Sequence, residues 1–162
     1  MTDISFIADV FHRNLRVIEW QTDGLTHADS LLQLPFRGNC LNWILGHIAN
    51  SRQNVIEALG GEELMGKPFR ERYDRGSEPI TGKEKDILKL EELLDLLKRS
   101  GEAIAGLLEN STPEIMDALV GEAPRQQKVS EWVTFLAWHE SYHTGQTEIM
   151  RQLAGKDDQV IK

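Results

Sequence analysis

The sequence predicts an all-α fold, a four-helix bundle, on three observations. Four segments carry apolar residues at the spacing of three and four that one face of a helix requires. Segments rich in glycine, proline and polar residues separate them. No segment alternates apolar and polar residues with enrichment in β-branched side chains, so we expect no sheet. The 162 residues are expected to form a single domain over 1–162.

The first two predicted helices have recognisable ends. The first is expected to begin at Thr2 or Asp3 and to end at Thr22, before a glycine. The second is expected to span 40–59, where Asn39 can cap its first amide groups and two glycines follow its last residue.

The third helix is expected to span 82–108, with Thr81 as its cap. Its apolar seam has a heptad-like spacing and contains Gly101, which permits a close approach of another helix. The fourth is expected to span 130–154, where the Ser130 side chain can cap the free amide groups.

The connections between these helices are long for a simple up-down bundle, whose loops are usually short. They comprise 25–39, 60–81 and 109–129. Long connections can cross a bundle, so consecutive helices that run parallel are feasible. A short extra helix is expected within 113–119.

Composition excludes several classes of function. The net charge of -8 argues against nucleic acid as a partner, because phosphate binding needs a basic face. The cluster of Arg70, Arg72 and Arg75 is expected to be a solvated loop rather than an anion site. No apolar stretch suits a membrane span and no signal peptide is recognisable. Because Cys40 is the only cysteine, no internal disulfide can form and a cytoplasmic location is expected.

One face of the fourth helix carries the main chemical signal. Its residues are Trp132, Leu136, His139, His143, Gln146, Met150 and Leu153. This face is apolar at both ends and polar in the middle, and buried polar groups need compensation. Two imidazoles four residues apart can bind one metal ion from the same side. A pair of histidines hydrogen-bonded inside the bundle would explain the pattern equally well.

The second helix favours the metal hypothesis. Beside its apolar stripe lies a face with small and polar residues around His47: Cys40, Ile44, His47, Ser51, Asn54 and Ala58. If this face meets the polar centre of the fourth helix, His47 completes a set of three histidines across a hollow. Three protein ligands leave a coordination position open, which is typical of reactive rather than structural metal sites.

The string from His139 to His143 also fits H-E-x-x-H, the zinc metalloprotease motif in which the glutamate is a general base. Such enzymes need a third ligand further along the chain, and no histidine follows His143 here. Glu140 is therefore expected at the helix surface, and a role as a base near the metal stays a secondary alternative.

Four other polar or reactive side chains are not expected to take part in a metal site. Arg52 is expected to emerge at a bundle end with its charge in water. Cys40 is expected to be a small buried thiol, and His12 a surface histidine. His27 could supply a fourth ligand but is not favoured.

The four tryptophans are expected mainly in the core. They are Trp20, Trp43, Trp132 and Trp138. Trp132 lies on the face with the histidines, where simple packing is favoured over a place in the wall of a pocket.

Two motifs resemble those of a known family. Residues 42–49, Asn-Trp-Ile-Leu-Gly-His-Ile-Ala, resemble the second-helix motif W-x-L-x-H-I/L of the DinB/YfiT-like superfamily. Residues 139–146, His-Glu-Ser-Tyr-His-Thr-Gly-Gln, resemble its last-helix motif H-x-x-x-H-x-G-Q. The order and placement of the motifs, the helix count and the chain length agree, so the resemblance spans essentially the whole chain.

The resemblance implies a DinB-like bundle with up-up-down-down connectivity, often a homodimer. It implies that His47, His139 and His143 bind one divalent metal ion, with zinc or nickel favoured and manganese or iron as alternatives. Gln146 matches the motif and could orient a ligand or a bound water, and a simple hydrogen bond at the helix end is an equal alternative.

The function that follows from the resemblance is that of a metal-dependent enzyme acting on a small molecule. Members with known reactions resemble thiol transferases, isomerases or hydrolases, some of which use a low-molecular-weight thiol such as bacillithiol or mycothiol. A bound ion would activate water or that thiol. Two alternatives stay open: a non-catalytic metal-binding or small-molecule-binding protein of a stress response, and an interaction bundle whose histidines only hydrogen-bond in the core.

Overall fold

A computed structural model describes residues 4–161, which form seven helices and one small ribbon. In chain order the elements are α1 (Ile4–Thr22), α2 (His27–Ser30), α3 (Leu41–Ala58), α4 (Lys67–Arg72), α5 (Leu90–Glu109), α6 (Pro113–Asp117), β1 (Leu119–Val120), β2 (Gln127–Lys128) and α7 (Val129–Leu153). The all-α prediction is confirmed: α1, α3, α5 and α7 are the four helices of the bundle. The first residues predicted for α1 lie outside the described part of the chain.

The expectation of no sheet is wrong in one place. Leu119 pairs with Lys128 and Val120 with Gln127, so β1 and β2 form an antiparallel ribbon just before α7. Two residues per strand are too few for a period-two pattern to be recognised in the sequence.

The expected start of α5 is also wrong. Gly82 has a φ of +86°, which is not helical. The Glu84 carboxylate accepts hydrogen bonds from the backbone amides of Thr81, Gly82 and Lys83, at 2.8–3.1 Å. These bonds close a tight turn in place of a first helical turn, and the helix begins eight residues later at Leu90.

Side-chain hydrogen bonds give the directions of the helices. The Asn14 amide of α1 donates to Ser141 of α7 at 3.1 Å, and the Gln21 carbonyl of α1 accepts from Arg151 of α7 at 3.1 Å. The chain number therefore increases in the same direction along both helices, and α1 and α7 run parallel.

The other two long helices form a second parallel pair. Asn42 of α3 donates to the Leu88 carbonyl just before α5 at 2.9 Å, and Arg52 donates to the Leu97 carbonyl within it. The long connection between α3 and α5 crosses the bundle, as a parallel pair of consecutive helices requires.

The two pairs run in opposite directions. Trp43 of α3 lies beside His143, whereas Arg52, further along α3, bonds to Glu140, earlier in α7. The order of directions is thus up-down-down-up, and the up-up-down-down expectation is wrong. The parallel neighbours are α3 with α5 and α1 with α7, whereas up-up-down-down would make α1 parallel to α3.

The apolar core consists of two clusters, one towards each end of the bundle. One contains Ile18, Leu45, Ile48, Leu93, Leu97 and Met150, and the other contains Phe11, Val55, Ile56, Ile104, Val133 and Leu136. Between them lies a layer of buried polar residues contributed by all four long helices: Asn14, Arg52, Ser100 and Glu140. The polar centre predicted for α7 is therefore part of a layer through the whole bundle.

Arg52 is the centre of this layer. It is fully buried, its guanidinium donates to both Glu140 oxygens at 2.8 and 2.7 Å, and it also donates to the carbonyls of Phe11 and Leu97. A Cβ at Gly101 would lie 3.1 Å from its Nη1 atom, so this glycine gives the guanidinium room. The expectations that Arg52 reaches water at a bundle end and that Glu140 lies at the surface are wrong.

No helix within residues 4–161 has the length and apolar character needed to cross a membrane.

Candidate metal centre

His47 lies on the inner face of α3 and is held there by a backbone carbonyl. Its Nδ1 atom is 2.8 Å from the Tyr73 carbonyl oxygen. Because a carbonyl only accepts, Nδ1 carries the hydrogen, and Nε2 keeps a lone pair directed away from Tyr73. The contact with the Tyr73 carbonyl therefore selects the neutral His47 tautomer whose Nε2 atom can bind a metal.

Tyr73 is itself fixed against α3. Its ring packs on Gly46, where a Cβ would come within 2.1 Å of the ring. Its hydroxyl donates to Asn42 and accepts from the Leu88 amide, both at 2.9 Å, and burial raises its pKa to about 12. The glycine that precedes His47 is thus the reason that this carbonyl can approach the imidazole.

His139 and His143 lie one turn apart on α7. Their Nε2 atoms are 3.1 Å apart, and His143 Nδ1 is 2.7 Å from the Gln146 side-chain oxygen, to which it donates. Gln146 therefore leaves the His143 Nε2 lone pair free on the side that faces His139. The predicted role of Gln146 as an orienting residue agrees with this contact.

The ring nitrogens of the three histidines lie close together. One nitrogen from each of His47, His139 and His143 lies within 4.8 Å of the others. Their rings approach with centroids 4.5–5.1 Å apart at steep angles, so the nitrogens converge rather than stack.

The geometry fits a bound cation. Tetrahedral ligands about 2.0–2.1 Å from an ion lie about 3.3 Å from one another, close to the 3.1 Å between the two Nε2 atoms on α7. The His139 Nδ1 atom is buried and has no partner in the described chain. Without a cation, the His139 Nε2–H must donate to His143, or two lone pairs face each other.

Burial keeps these side chains neutral. Desolvation is the main cause that lowers the pKa of each histidine, and it brings the pKa of His139 to about 4, with smaller contributions from the other two imidazoles. Neutral imidazoles are the form that binds metal, so the set needs no proton release at neutral pH.

The histidines lie in the wall of a cleft of about 650 Å³ between α3 and α7. Its walls include the predicted face of α3 from Ile44 to Asn54 and the predicted face of α7 from Trp132 to Met150. The outer members of the two predicted faces do not line the cleft: Cys40, Ala58 and Leu153. Trp43 stacks on His47, with ring centroids 4.6 Å apart and an angle of 15°. The site is thus open to a small molecule along aromatic walls.

Comparison with known families identifies the chain. The family model of the DinB superfamily matches residues 11–147. This chain belongs to the DinB superfamily.

A solved structure agrees with the fold of this DinB-superfamily chain. The crystal structure of a conserved protein from Enterococcus faecalis has a TM-score of 0.74 with it, and the match covers 96% of this chain and 99% of that one at 15% identity. At that identity the likeness shows the fold alone. No protein of curated function matches the sequence.

Glu140 does not belong to the site. Both its carboxylate oxygens accept from Arg52 in the bundle interior, and it does not line the cleft. The geometry of the metalloprotease motif, with a glutamate base beside the metal, is absent from this DinB-superfamily helix. Sequence spacing alone could not show this, because Arg52 is 88 residues away from its partner.

The remaining candidate residues, Cys40, His12 and His27, lie outside the cleft. Cys40 is buried outside the cleft and burial raises the pKa of its thiol, as expected of a structural cysteine. His12 is exposed, and His27, at the start of α2, does not line the cleft.

Two expectations for aromatic residues are wrong. Trp20 and Trp138 are exposed rather than in the core, and Trp132 borders the cleft instead of only packing. Trp43 is buried as expected and also forms part of the cleft wall.

The arginine cluster is not one solvated loop. Arg70 binds Glu57, and Arg72 is buried, donating to the carbonyls of Glu78 and Pro79. Arg75 extends to the cleft. Arg75 and Tyr73 were not predicted at the site. The only sequence signal for Tyr73 is Gly46, which leaves room for its ring.

Proposed function

We propose that this protein is a metal-dependent enzyme that binds one divalent ion on His47, His139 and His143. We propose that it catalyses transfer to, or hydrolysis of, a small molecule held in the cleft. The observation that carries the proposal is the convergence of three neutral imidazoles in the wall of an open cleft. A fully closed structural site would need a fourth protein ligand, and no other histidine, cysteine or carboxylate in the described chain joins this cluster.

Neighbouring residues hold the metal-binding histidines in their orientations. The Tyr73 carbonyl orients His47, and Gln146 orients His143. Trp43 stacks on His47 and Phe135 on His139, so aromatic rings border two of the three imidazoles. A divalent ion held by His47, His139 and His143 would lower the pKa of a water or thiol ligand and so would supply a nucleophile at neutral pH.

Nitrogen ligands favour zinc or nickel, with manganese or iron as alternatives. A low-molecular-weight thiol is the proposed cosubstrate, because the resemblance of the two histidine motifs to the DinB/YfiT-like superfamily implies one and a bound divalent ion would activate a thiol. A cytoplasmic location belongs to the same proposal, since the single cysteine is unpaired.

We also propose that the protein forms a homodimer through an exposed aromatic stripe of α7 that borders the cleft. Phe135, Trp138, Tyr142 and Ile149 are exposed at helical spacing, with Gly145 between the last two. A second helix can approach closely at a glycine. The stripe of one chain can therefore pack against the same stripe of a second chain. Light scattering should give a dimer for the native protein and a monomer for Trp138→Glu.

The test of the catalytic proposal is a reaction screen with the metal-loaded protein. Transfer from small thiols to electrophilic acceptors, and hydrolysis of esters and amides, should show turnover that His47→Ala abolishes and His12→Ala preserves. His12 is an exposed histidine away from the cleft, so its substitution controls for the loss of an imidazole. Turnover that survives in His47→Ala would contradict the proposal. A metal-loaded protein that turns over none of these would favour the non-catalytic binding alternative.

A further inference from the structure

The charges that line the cleft differ from those of the rest of the chain. The cleft has twenty lining residues, among them Arg37 and Arg75 but no aspartate or glutamate. With 26 acidic residues among 162, twenty lining residues would on average include about three. An acidic protein therefore has one cleft whose only formal charges are positive.

Both arginines are free to bind something else. Of the ten arginines in the described chain, six bind carboxylates and Arg16 lies over the Trp20 ring. The remaining three, Arg37, Arg75 and Arg125, have no side-chain partner within residues 4–161. Two of these three line the cleft.

The backbone turn around Arg75 is held by contacts on both sides of that residue. Two residues before it, the Tyr73 carbonyl accepts from His47 at 2.8 Å, and two residues after it, the Ser77 hydroxyl accepts from the Trp43 indole at 2.9 Å. The turn that carries Arg75 is thus tied to the cleft wall twice. The neighbouring Asp74 accepts from the Arg75 backbone amide and borders a different groove, and its charge has only a small effect on the pKa of His47 in the cleft wall.

We propose that the small molecule bound in this cleft is an organic anion, with a carboxylate or phosphate group bound by Arg37 and Arg75. Guanidinium groups bind these anions with paired hydrogen bonds. The walls formed by Trp43, Trp132 and Phe135 suit an apolar body attached to that anion. This inference rests on the proposed function for the identity of the cleft, and it names the substrate class.

The test uses defined probes and metal-free protein, so that a metal ion cannot bind the anion. The probes are 3-phenylpropionate, 3-phenylpropyl phosphate and the neutral 3-phenylpropionamide, and the readout is the Trp43 indole N–H resonance in an NMR titration. At least one anion should bind, and more tightly than the amide. Arg37→Gln and Arg75→Gln should each weaken its binding roughly threefold to tenfold. Arg125→Gln, which removes a free arginine away from the cleft, should leave it unchanged.

The outcomes separate this inference from the metal proposal. Equal binding of the anions and the amide, or equal effects of Arg125→Gln and Arg75→Gln, would overturn the inference. Metal content is measured on the same variants and should stay at the native level. A protein that binds the anion through both arginines but takes up no metal would support the inference and contradict the proposed function.

Discussion

Arg52 and Glu140 form a bidentate ion pair at the centre of the bundle, with both side chains essentially inaccessible to water. Glu140 directly follows His139 on α7, so the pair fixes the rotation of α7 that turns His139 towards the cleft. The ion pair inside the bundle and the histidine cluster at its side are thus two consequences of the same helix orientation.

Breaking this pair should be costly. Glu140→Gln leaves the buried guanidinium without a counter-charge, and we expect a loss of about 3–5 kcal/mol in the free energy of unfolding. Urea denaturation measures this change. The double variant Arg52→Met/Glu140→Leu removes both charges and should lose less than the sum of the single variants. Two results would contradict a stabilising role for the pair. One is a loss in the free energy of unfolding of the double variant that equals the sum of the single variants, and the other is a loss below about 1 kcal/mol for Glu140→Gln.

Gly46 should not tolerate a methyl group. Gly46→Ala places a Cβ within 2.1 Å of the Tyr73 ring, so the ring and the carbonyl that holds His47 must move. We expect a loss of about 1–3 kcal/mol in stability and weaker metal binding. Gly106→Ala is the matched control, since Gly106 also lies inside a helix but has no atom within 4 Å of an added Cβ. It should be neutral or stabilise by up to about 1 kcal/mol.

The metal-free protein should lose stability as the pH falls from about 6.5 to about 4. Burial holds the pKa of His139 at about 4, below its value of about 6.5 in an unfolded chain. Between these values the unfolded state binds more protons, so the free energy of unfolding decreases with falling pH. Chemical denaturation at several pH values should show a shallower decrease in His139→Gln. An identical slope in both proteins would contradict the buried, neutral state of His139.

Gln146 should tune the metal affinity without being a ligand. Gln146→Leu removes the acceptor for His143 Nδ1, and we expect metal affinity to fall roughly 10-fold to 100-fold, measured by competition with a chelating dye. Gln146→Glu keeps an acceptor and should retain most of the affinity. The exposed Gln152, on the same helix, provides the control as Gln152→Leu. Equal affinity in native protein and Gln146→Leu would exclude this role.

The helices and the histidine set could be predicted because their signals are local. Residues three and four apart share a helix face, so the faces containing His47 and His139 could be read directly from the spacing. The same rule brought Gln146 next to His143. The prediction that the His47 face of α3 meets the His139 face of α7 needed one further rule, that buried polar side chains require a hydrogen-bonding or metal partner.

What the sequence did not predict depends on contacts between distant residues. Nothing near Arg52 shows that its partner is Glu140, so both were assigned to the surface. The Tyr73 contact with His47 uses a backbone carbonyl, which carries no residue-type signal. Helix directions follow from how the long connections cross the bundle, and periodicity contains no information about that path.

The most direct test of a shared three-histidine metal site is the metal content of the purified, untagged protein by elemental analysis, with His47→Ala, His139→Ala and His12→Ala measured in parallel. We expect close to one divalent ion per chain in the native protein and in His12→Ala, and almost none in the two site variants, because each loses one of three ligands from a shared site. A native protein that contains no metal and takes up none from added zinc, nickel, manganese or iron would contradict it, and the three histidines would then be a hydrogen-bonded cluster beside a cleft.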